Sequence, residues 1–492
     1  MKHPIFIIVA LLTFSVTTTV FSQVKKTPNI ILIMCDDLGY GDTGFNGNKI
    51  IQTPNLDLMA NEGVNLTNFH AGGPVCSPTR FTFITGRHYA RSTVVTANAG
   101  HISTDEITIA EIAKSKGYTT GHFGKWHLGT LSKTFSAKGA KREPEKNFSP
   151  PWLHGYDKTF VCESANATWN PTQHSRYKNN PYWEDQEIAT ENLDGSTSRI
   201  IMDRALPFIE NAIYNNKPFL SVIWFNAPHA PVLAGPEHRA LYKNYPESAQ
   251  HYYGCVTAVD EQVGRLRDYL ISTCEYNNTL IIFCSDNGPE GREALAISDA
   301  YKMKQEKIAH GSNFWGITNG LRGRKRATFE GGIRVPAFAV WRNKLNKGTQ
   351  SNTPLSTLDL LPTIATILEF EMPDERPIDG EDLIQLITNA NKKRTNPIPI
   401  WFKGAKFATN SGNKSPVFGL ITTDNFKYQI NLESELKVKN KQTEEGVYNL
   451  SIDKGENNNI IHTKDKELKK YKAYLKTWWE SALNSKNGKD FN

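Results

Sequence analysis

The sequence predicts an α/β fold: a large, mostly parallel β-sheet sandwiched by helices, followed by a smaller C-terminal α+β subdomain. Three observations lead there. Short apolar runs bounded by turn residues recur along the chain, as buried parallel strands do. Helical patterns lie between those runs, and the alternation of strand and helix favours a parallel sheet covered on both faces. Near residues 389–397 the composition turns polar and charged, and short alternating segments follow.

The elements follow in order. The N-terminus has the form of a cleavable export signal: Lys2 and His3, an apolar run Ile5–Leu12, and the small residues Val20 and Ser22 before a cleavage point after Ser22. That run, interrupted by Thr13, Ser15 and Thr17–Thr19, falls short of the ~20 residues needed to span a bilayer. The expected mature protein is exported, periplasmic or secreted, with no membrane attachment. Predicted strands are Asn29–Met34, Tyr118–Phe123, Phe219–Phe225, Leu280–Cys284 and Val335–Trp341. Predicted helices are Ile107–Lys116, Thr197–Ala212, Tyr252–Leu270 and Ser356–Leu368; in the last, Leu358, Leu361, Ile364, Ala365 and Leu368 share one face. Residues 131–195, rich in Pro, Asn, Lys and aromatics, read as a long surface insertion beside a pocket. The tail reads as a small antiparallel sheet, with strands Phe418–Thr422 and Phe426–Ile430, and a final helix at Lys464–Leu483. The division is then 1–22 signal, 23–395 catalytic domain and 396–492 C-terminal subdomain.

Composition sets limits. Of 492 residues, 39% are hydrophobic and 22% charged, enough for a core, so a largely disordered chain is excluded. The net charge of +7 comes from 57 basic and 50 acidic residues spread along the chain. It suits a negatively charged partner but lacks the clustering of a nucleic-acid binder. Six cysteines in a chain of this length do not make a disulfide scaffold.

Polar clusters fall just past four predicted strands. Ile31–Cys35 runs into Asp36 and Asp37; Gly121–Gly124 into Lys125, Trp126 and His127; Leu220–Phe225 into Asn226, Pro228 and His229; Leu280–Cys284 into Ser285, Asp286 and Asn287. Open parallel sheets bind ligands along that edge. Asp36, Asp37, Asp286 and Asn287 are hard oxygen ligands suited to Ca²⁺ or Mg²⁺. Any one such pair is more often a turn or a helix cap. Two pairs after two buried strands point to a cation, which would relieve the repulsion among the carboxylates. In Cys76-Ser77-Pro78-Thr79-Arg80, Ser77 suits an N-cap, Pro78 the first helical position and Gly86 the helix end. Cys76 then lies at a helix N-terminus that favours an anion, with Arg80 one turn on and able to reach back towards it.

These blocks resemble the formylglycine-dependent, type I sulfatases, a family on the alkaline-phosphatase-like fold. Cys76-Ser77-Pro78-Thr79-Arg80, continuing through Thr85-Gly86-Arg87, is similar to the family's C-x-P-x-R signature. The other blocks occur in family order: Cys35-Asp36-Asp37-Leu38-Gly39, Gly124-Lys125-Trp126-His127-Leu128-Gly129, Pro228-His229-Ala230-Pro231, Ser285-Asp286-Asn287-Gly288, and Leu321-Arg322-Gly323 through Lys325 to Glu330-Gly331-Gly332. The resemblance implies that a maturation enzyme converts Cys76 to 3-oxoalanine (formylglycine), whose hydrate is the nucleophile. It implies one Ca²⁺, ahead of Mg²⁺, held by Asp36, Asp37, Asp286, Asn287 and position 76. It implies that Lys125, His229 and Lys325 bind sulfate and that His229 protonates the leaving alcohol. His127 would take a proton from the second hydroxyl to expel sulfate, and Arg80 would steady the hydrate. Arg324-Lys325-Arg326 departs from relatives, which usually carry glycines beside that lysine.

The reading is hydrolysis of a sulfate monoester. The implied substrate is a sulfated oligo- or polysaccharide, with Trp152, Tyr156, Trp169, Tyr177, Tyr182 and Trp183 either facing sugar rings or packing the insertion. A phosphatase or phosphodiesterase of the same superfamily is the alternative enzyme; those usually carry Ser or Thr and a second metal set. A catalytically inactive sulfated-glycan binder is the third reading, which the intact Cys76, Arg80, Lys125, His127, His229 and Lys325 oppose.

Overall fold

The computed structural model describes residues 27–291, 315–389, 392–402, 417–432, 436 and 445–490. The expected signal segment, the Asn-x-Ser/Thr sequon Asn413-Lys414-Ser415 (one of those at Asn65, Asn147, Asn166, Asn277, Asn413 and Asn449) and part of the polar stretch at 389–397 lie outside them. Ten strands form the main sheet, in the order Thr349–Ser351, Val64–Leu66, Phe338–Val340, Thr279–Ser285, Asn29–Cys35, Phe219–Trp224, Thr119–Lys125, Lys158–Cys162, Trp183–Glu184 and Glu187–Ile188. The five strands from Thr279–Ser285 to Lys158–Cys162 are parallel. Their pairing keeps the carboxyl ends level, with Cys35 opposite Ser285, Met34 opposite Trp224 and Lys125 opposite Cys162.

Both faces of these strands are buried, which explains their continuous apolar runs. Ile30, Leu32 and Met34 face one core, shared with Phe81, Phe83, Ile109, Leu361 and Trp478. Ile31, Ile33 and Cys35 face the other, shared with Leu56, Ile201, Ile209, Val259 and Leu266. The predicted helices occur at Ile109–Ser115, Thr197–Tyr214, Glu247–Ser272 and Leu360–Ile367. The first starts at a capping box: Thr108 Oγ1 accepts from Glu111 N (3.2 Å) and Glu111 Oε2 accepts from Thr108 N (2.8 Å).

Three expectations need correction. The strand at Phe338–Val340, third from the sheet edge, runs antiparallel to both neighbours, because direction is set by the connection and not by the apolar run. Residues 131–195 are not purely a surface insertion: Lys158–Cys162 is the fifth parallel strand, and its apolar run is too short and mixed to stand out. The Cys76–Thr85 helix begins one residue before Ser77, with Val75 at the N-cap and Cys76 as first helical residue. Gly86 does end it, at φ 64°, with its N–H on Thr82 O (2.9 Å).

The C-terminal part is a four-stranded antiparallel sheet, Ile398–Trp401, Phe418–Ile421, Phe426–Ile430 and Gly446–Asn449, and a helix Asp465–Lys486. The helix buries Leu475, Trp478, Trp479 and Ala482 on the first core. Asp379 fixes its position, accepting from Trp478 Nε1 (2.9 Å), Arg91 Nε (2.7 Å) and His88 N (2.7 Å). The small sheet is tied in by a buried ionic cluster: Lys427 Nζ lies 3.0 Å from both Glu330 and Glu456, and Glu330 also accepts from Arg334 Nε at 2.6 Å. All six cysteines are unpaired. The sequon residues Asn65, Asn147 and Asn166 are buried, and the Asn147 and Asn166 amide nitrogens donate inside the fold.

Candidate active site

Five level strand ends, the start of the Cys76 helix and the loop carrying Lys325 meet at one place. The first turn after Asn29–Cys35 sets Asp36 and Asp37. Asp37 takes a left-handed backbone, φ 68°, as does His127 at φ 61° after Thr119–Lys125. For non-glycine residues such conformations cost about 1–3 kcal/mol each and concentrate at functional sites. Here they turn side chains inward at the sheet edge. Asp37 N is held by Asp286 Oδ1 (3.1 Å) and Leu38 N by Ser285 Oγ (3.0 Å), so two strand ends lock each other.

The three carboxylates are fully buried, each matched to a cation. Lys125 Nζ donates to Asp36 Oδ2 (2.7 Å), Lys325 Nζ to Asp37 Oδ1, and Arg80 Nη2 to Asp286 Oδ2 (2.7 Å). Arg80 also donates to Lys125 O (2.9 Å) and lies 3.8 Å from Asp36 Oδ2. Its fork therefore spans the carboxylates, an arrangement its sequence position alone did not reveal. Burial raises the Asp36 and Asp37 carboxyls, but Lys125 beside the first and Lys325 beside the second outweigh it, and both stay ionised. Asp286 is pushed up to about 7 by burial and by Asp36. A further cation beside Asp286 would lower its carboxyl again and keep all three ionised.

A hard cation fits these residues. Ligand atoms of Asp36, Cys76 and Asp286 lie within 4.8 Å of one another, as do those of Asp36, Asp37 and His229. Asp36 Oδ1 and Asn287 Oδ1 are buried with no hydrogen-bond partner, two acceptors left for an ion. Asn287 Nδ2 donates to Asp37 Oδ1 (2.7 Å), which keeps its oxygen turned away.

The two histidines are set differently. His127 Nε2 lies 2.9 Å from Asn98 Oδ1, which places its proton on Nε2 and leaves Nδ1 as a bare, buried base. Burial and then Lys125 hold it well below the ordinary histidine range. His229 donates from Nδ1 to Ala230 O (2.7 Å), so Nε2 faces the site, 3.9 Å from Asp37 Oδ2. Burial, with Lys325 adding to it, lowers His229 to about 4 against the pull of Asp36. Lys325, whose flanking arginines depart from the family pattern, is buried and in place. Arg324 donates twice to Glu290 O (2.9 and 2.8 Å), and Arg326 pairs with Glu290 from a left-handed backbone at φ 74°.

Every residue proposed from sequence thus comes together: Asp36, Asp37, Cys76, Arg80, Lys125, His127, His229, Asp286, Asn287 and Lys325. Sequence reasoning missed Asn98, in a stretch of small residues with no periodic signal. It also missed Glu163, whose backbone oxygen accepts from His127 N (3.0 Å). Glu163 follows the strand Lys158–Cys162, so the strand-end rule would have found it had that strand been recognised. The insertion aromatics mainly pack. Tyr182 stacks on Phe160 at 4.7 Å and accepts from Asn226 Nδ2, Tyr156 is buried beside His122, and Trp183 stacks on Phe135 at 5.9 Å.

The family model described as Sulfatase matches residues 28–370. Arylsulfatase G of Rattus norvegicus is 30% identical over 378 residues, covering 73% of this chain and 68% of that protein. N-acetylgalactosamine-6-sulfatase of Mus musculus is 31% identical over 397 residues, covering 76% and 69%. Among solved structures, Ps i-CgsB in complex with k-i-k-neocarrahexaose is similar at TM-score 0.74 and 26% identity, over 93% of each chain.

Proposed function

Because the chain belongs to the sulfatase family and is a sulfuric ester hydrolase, we propose that it removes sulfate from a sulfated carbohydrate, with formylglycine at position 76 and one Ca²⁺. The observation that carries the reading is the convergence of Cys76, at a helix start, with three site cations, two histidines and four oxygen-ligand residues. When bound, the two groups supply a hydroxyl nucleophile at position 76 and a Lewis acid held by Asp36, Asp37, Asp286 and Asn287.

The chain's own residues do the rest. Lys125, Lys325 and His229 line a buried, water-poor site and hold the sulfate oxygens, where fixed cations act far more strongly than in water. His229, held through Nδ1 by Ala230 O, presents Nε2 to the leaving oxygen. As general acid it carries a proton there, and an anionic ester beside it favours that form. His127, held through Nε2 by Asn98, receives a proton at Nδ1 in the step that frees sulfate. Arg80 spans Asp286 and the Lys125 carbonyl and keeps the carboxylates oriented. Two relatives named above support a carbohydrate substrate, one named for N-acetylgalactosamine 6-sulfate and one seen with a neocarrahexaose. The N-terminal apolar run supports export, and among the described residues no helix is long and apolar enough to cross a membrane.

Among the described residues the clusters able to hold a metal all share Asp36, which does not favour the two-metal phosphatase alternative. The test is release of inorganic sulfate and phosphate, measured on a panel of sulfated oligosaccharides and on the phosphate monoesters of the same sugars. Sulfate release is expected to dominate; faster phosphate release would overturn the reading.

A further inference from the structure

A lysine and two carboxylates are buried where the C-terminal sheet meets the main fold. Lys427, Glu330 and Glu456 are each 2% exposed or less. Lys427 Nζ lies 3.0 Å from both carboxylates. Glu330 also accepts from Arg334 Nε (2.6 Å) and lies 3.0 Å from His70 Nε2. Glu456 accepts from Glu330 N (2.6 Å) and from Gln429 Nε2 (2.7 Å), and does so from a left-handed backbone at φ 54°. Attraction inside such a buried network barely offsets the desolvation of its charges, and apolar side chains of the same volume would stabilise the fold as well. What a fully bonded network supplies is one fixed geometry, here at Glu330.

Glu330 opens the short helical turn Glu330–Ile333, and the main chain of that turn holds two parts of the active site. Gly331 N donates to Arg322 O (2.6 Å), three residues before Lys325. Gly332 O accepts from Gly288 N (2.9 Å), next to Asn287. These contacts are backbone against backbone. A Cβ on Gly331 would lie 2.0 Å from Gly323 O, and one on Gly288 would lie 1.9 Å from Gly331 O. Lys325 N bonds Pro289 O (3.0 Å), which joins the two parts again. With no side chain between them to absorb a shift, a displaced Glu330 moves the Lys325 loop and the Asn287 turn together.

We propose that Lys427 and Glu456, from the C-terminal part of the chain, are positioning residues that act through Glu330 and set the pose of both Lys325 and Asn287. The C-terminal sheet is then a working part of the sulfate and cation sites. The proposal rests on the sulfatase reading for the roles of those two residues.

The test compares Glu456→Ala and Lys427→Met with wild type and with Trp479→Leu, each as the full chain matured at position 76. Trp479 packs on Trp401 (5.0 Å) and Phe418 (5.2 Å) in the same C-terminal part, so its replacement lowers stability by a different route. Two quantities are read at a temperature where circular dichroism shows each chain folded. They are KM and kcat for 4-nitrophenyl sulfate at saturating Ca²⁺, and the Ca²⁺ dissociation constant by isothermal titration calorimetry. Glu456→Ala and Lys427→Met are expected to raise KM and the Ca²⁺ dissociation constant by about tenfold or more. The change in kcat is smaller, because Lys325 holds sulfate before the reaction as well as during it. Lys427→Arg, which keeps the charge, brings both values back towards wild type. Trp479→Leu lowers the melting temperature and moves neither. If Lys427→Met does not fold, Glu456→Ala decides, since it leaves Lys427 paired with Glu330. No rise in either quantity in Glu456→Ala, or an equal rise in Trp479→Leu, overturns the proposal. A wild-type chain that releases no sulfate from any ester would overturn the sulfatase reading instead, and the Ca²⁺ comparison, which needs no turnover, would still judge the positioning.

Discussion

At the scale of single residues, the account turns on how each polar atom is held. His229 is fixed through Nδ1 and offers Nε2; His127 is fixed through Nε2 and offers Nδ1. A general acid matters most for a poor leaving group such as a sugar hydroxyl. His229→Ala is therefore expected to slow a sugar sulfate by about 10²–10⁴-fold and an activated aryl sulfate much less, as read from kcat/KM on both. Equal losses would place His229 elsewhere in the reaction. Asn98→Ala frees the His127 ring, and kcat should fall about tenfold or more with KM little changed. A rise in KM alone would make Asn98 a substrate contact instead. The main site residues were legible because chemistry-bearing types follow strand ends in a fixed order. Asn98 was not, since a single amide in a turn has no pattern. The bonding of Arg80 was not either, since a side chain's partner depends on the fold.

At the scale of elements, strands buried on both faces were legible through their unbroken apolar runs, and helices through their spacing. The strands Lys158–Cys162 and Phe338–Val340 were misjudged, one in existence and one in direction. Both are short, and direction is set by connections rather than by residues. The contacts that fix the C-terminal helix were equally invisible, because Asp379, Arg91 and Trp478 lie far apart in sequence. The Asp379 side chain is only 5% exposed; burial raises its carboxyl, but Arg91 outweighs this and lowers it from 3.8 to about 2. The ion pair thus stabilises the fold above pH 3.8, and that contribution is lost as pH falls towards 2. Asp379→Asn leaves Arg91 buried without its counter-charge and should cost about 3–5 kcal/mol near pH 7. The gap from wild type, measured by urea unfolding, is expected to close as pH falls through that window. A gap independent of pH would show that the charge is not what matters.

At the scale of the whole molecule, a mainly parallel sheet covered on both faces gathers residues from 36 to 325 at one edge, where the proposed cation ligands and Cys76 meet. A strong chelator should abolish sulfate release and lower the melting temperature, and Ca²⁺ should restore both. Restoration by Zn²⁺ alone would contradict an all-oxygen set. The most direct test is the mass of the peptide containing position 76, from protein made in a host with formylglycine maturation, alongside its sulfate-releasing activity. The account predicts a peptide lighter than its cysteine form, the thiol replaced by an aldehyde oxygen, and activity that scales with that fraction. It predicts none from Cys76→Ser, which still folds. Full activity in protein whose residue 76 remains an unmodified cysteine would contradict it.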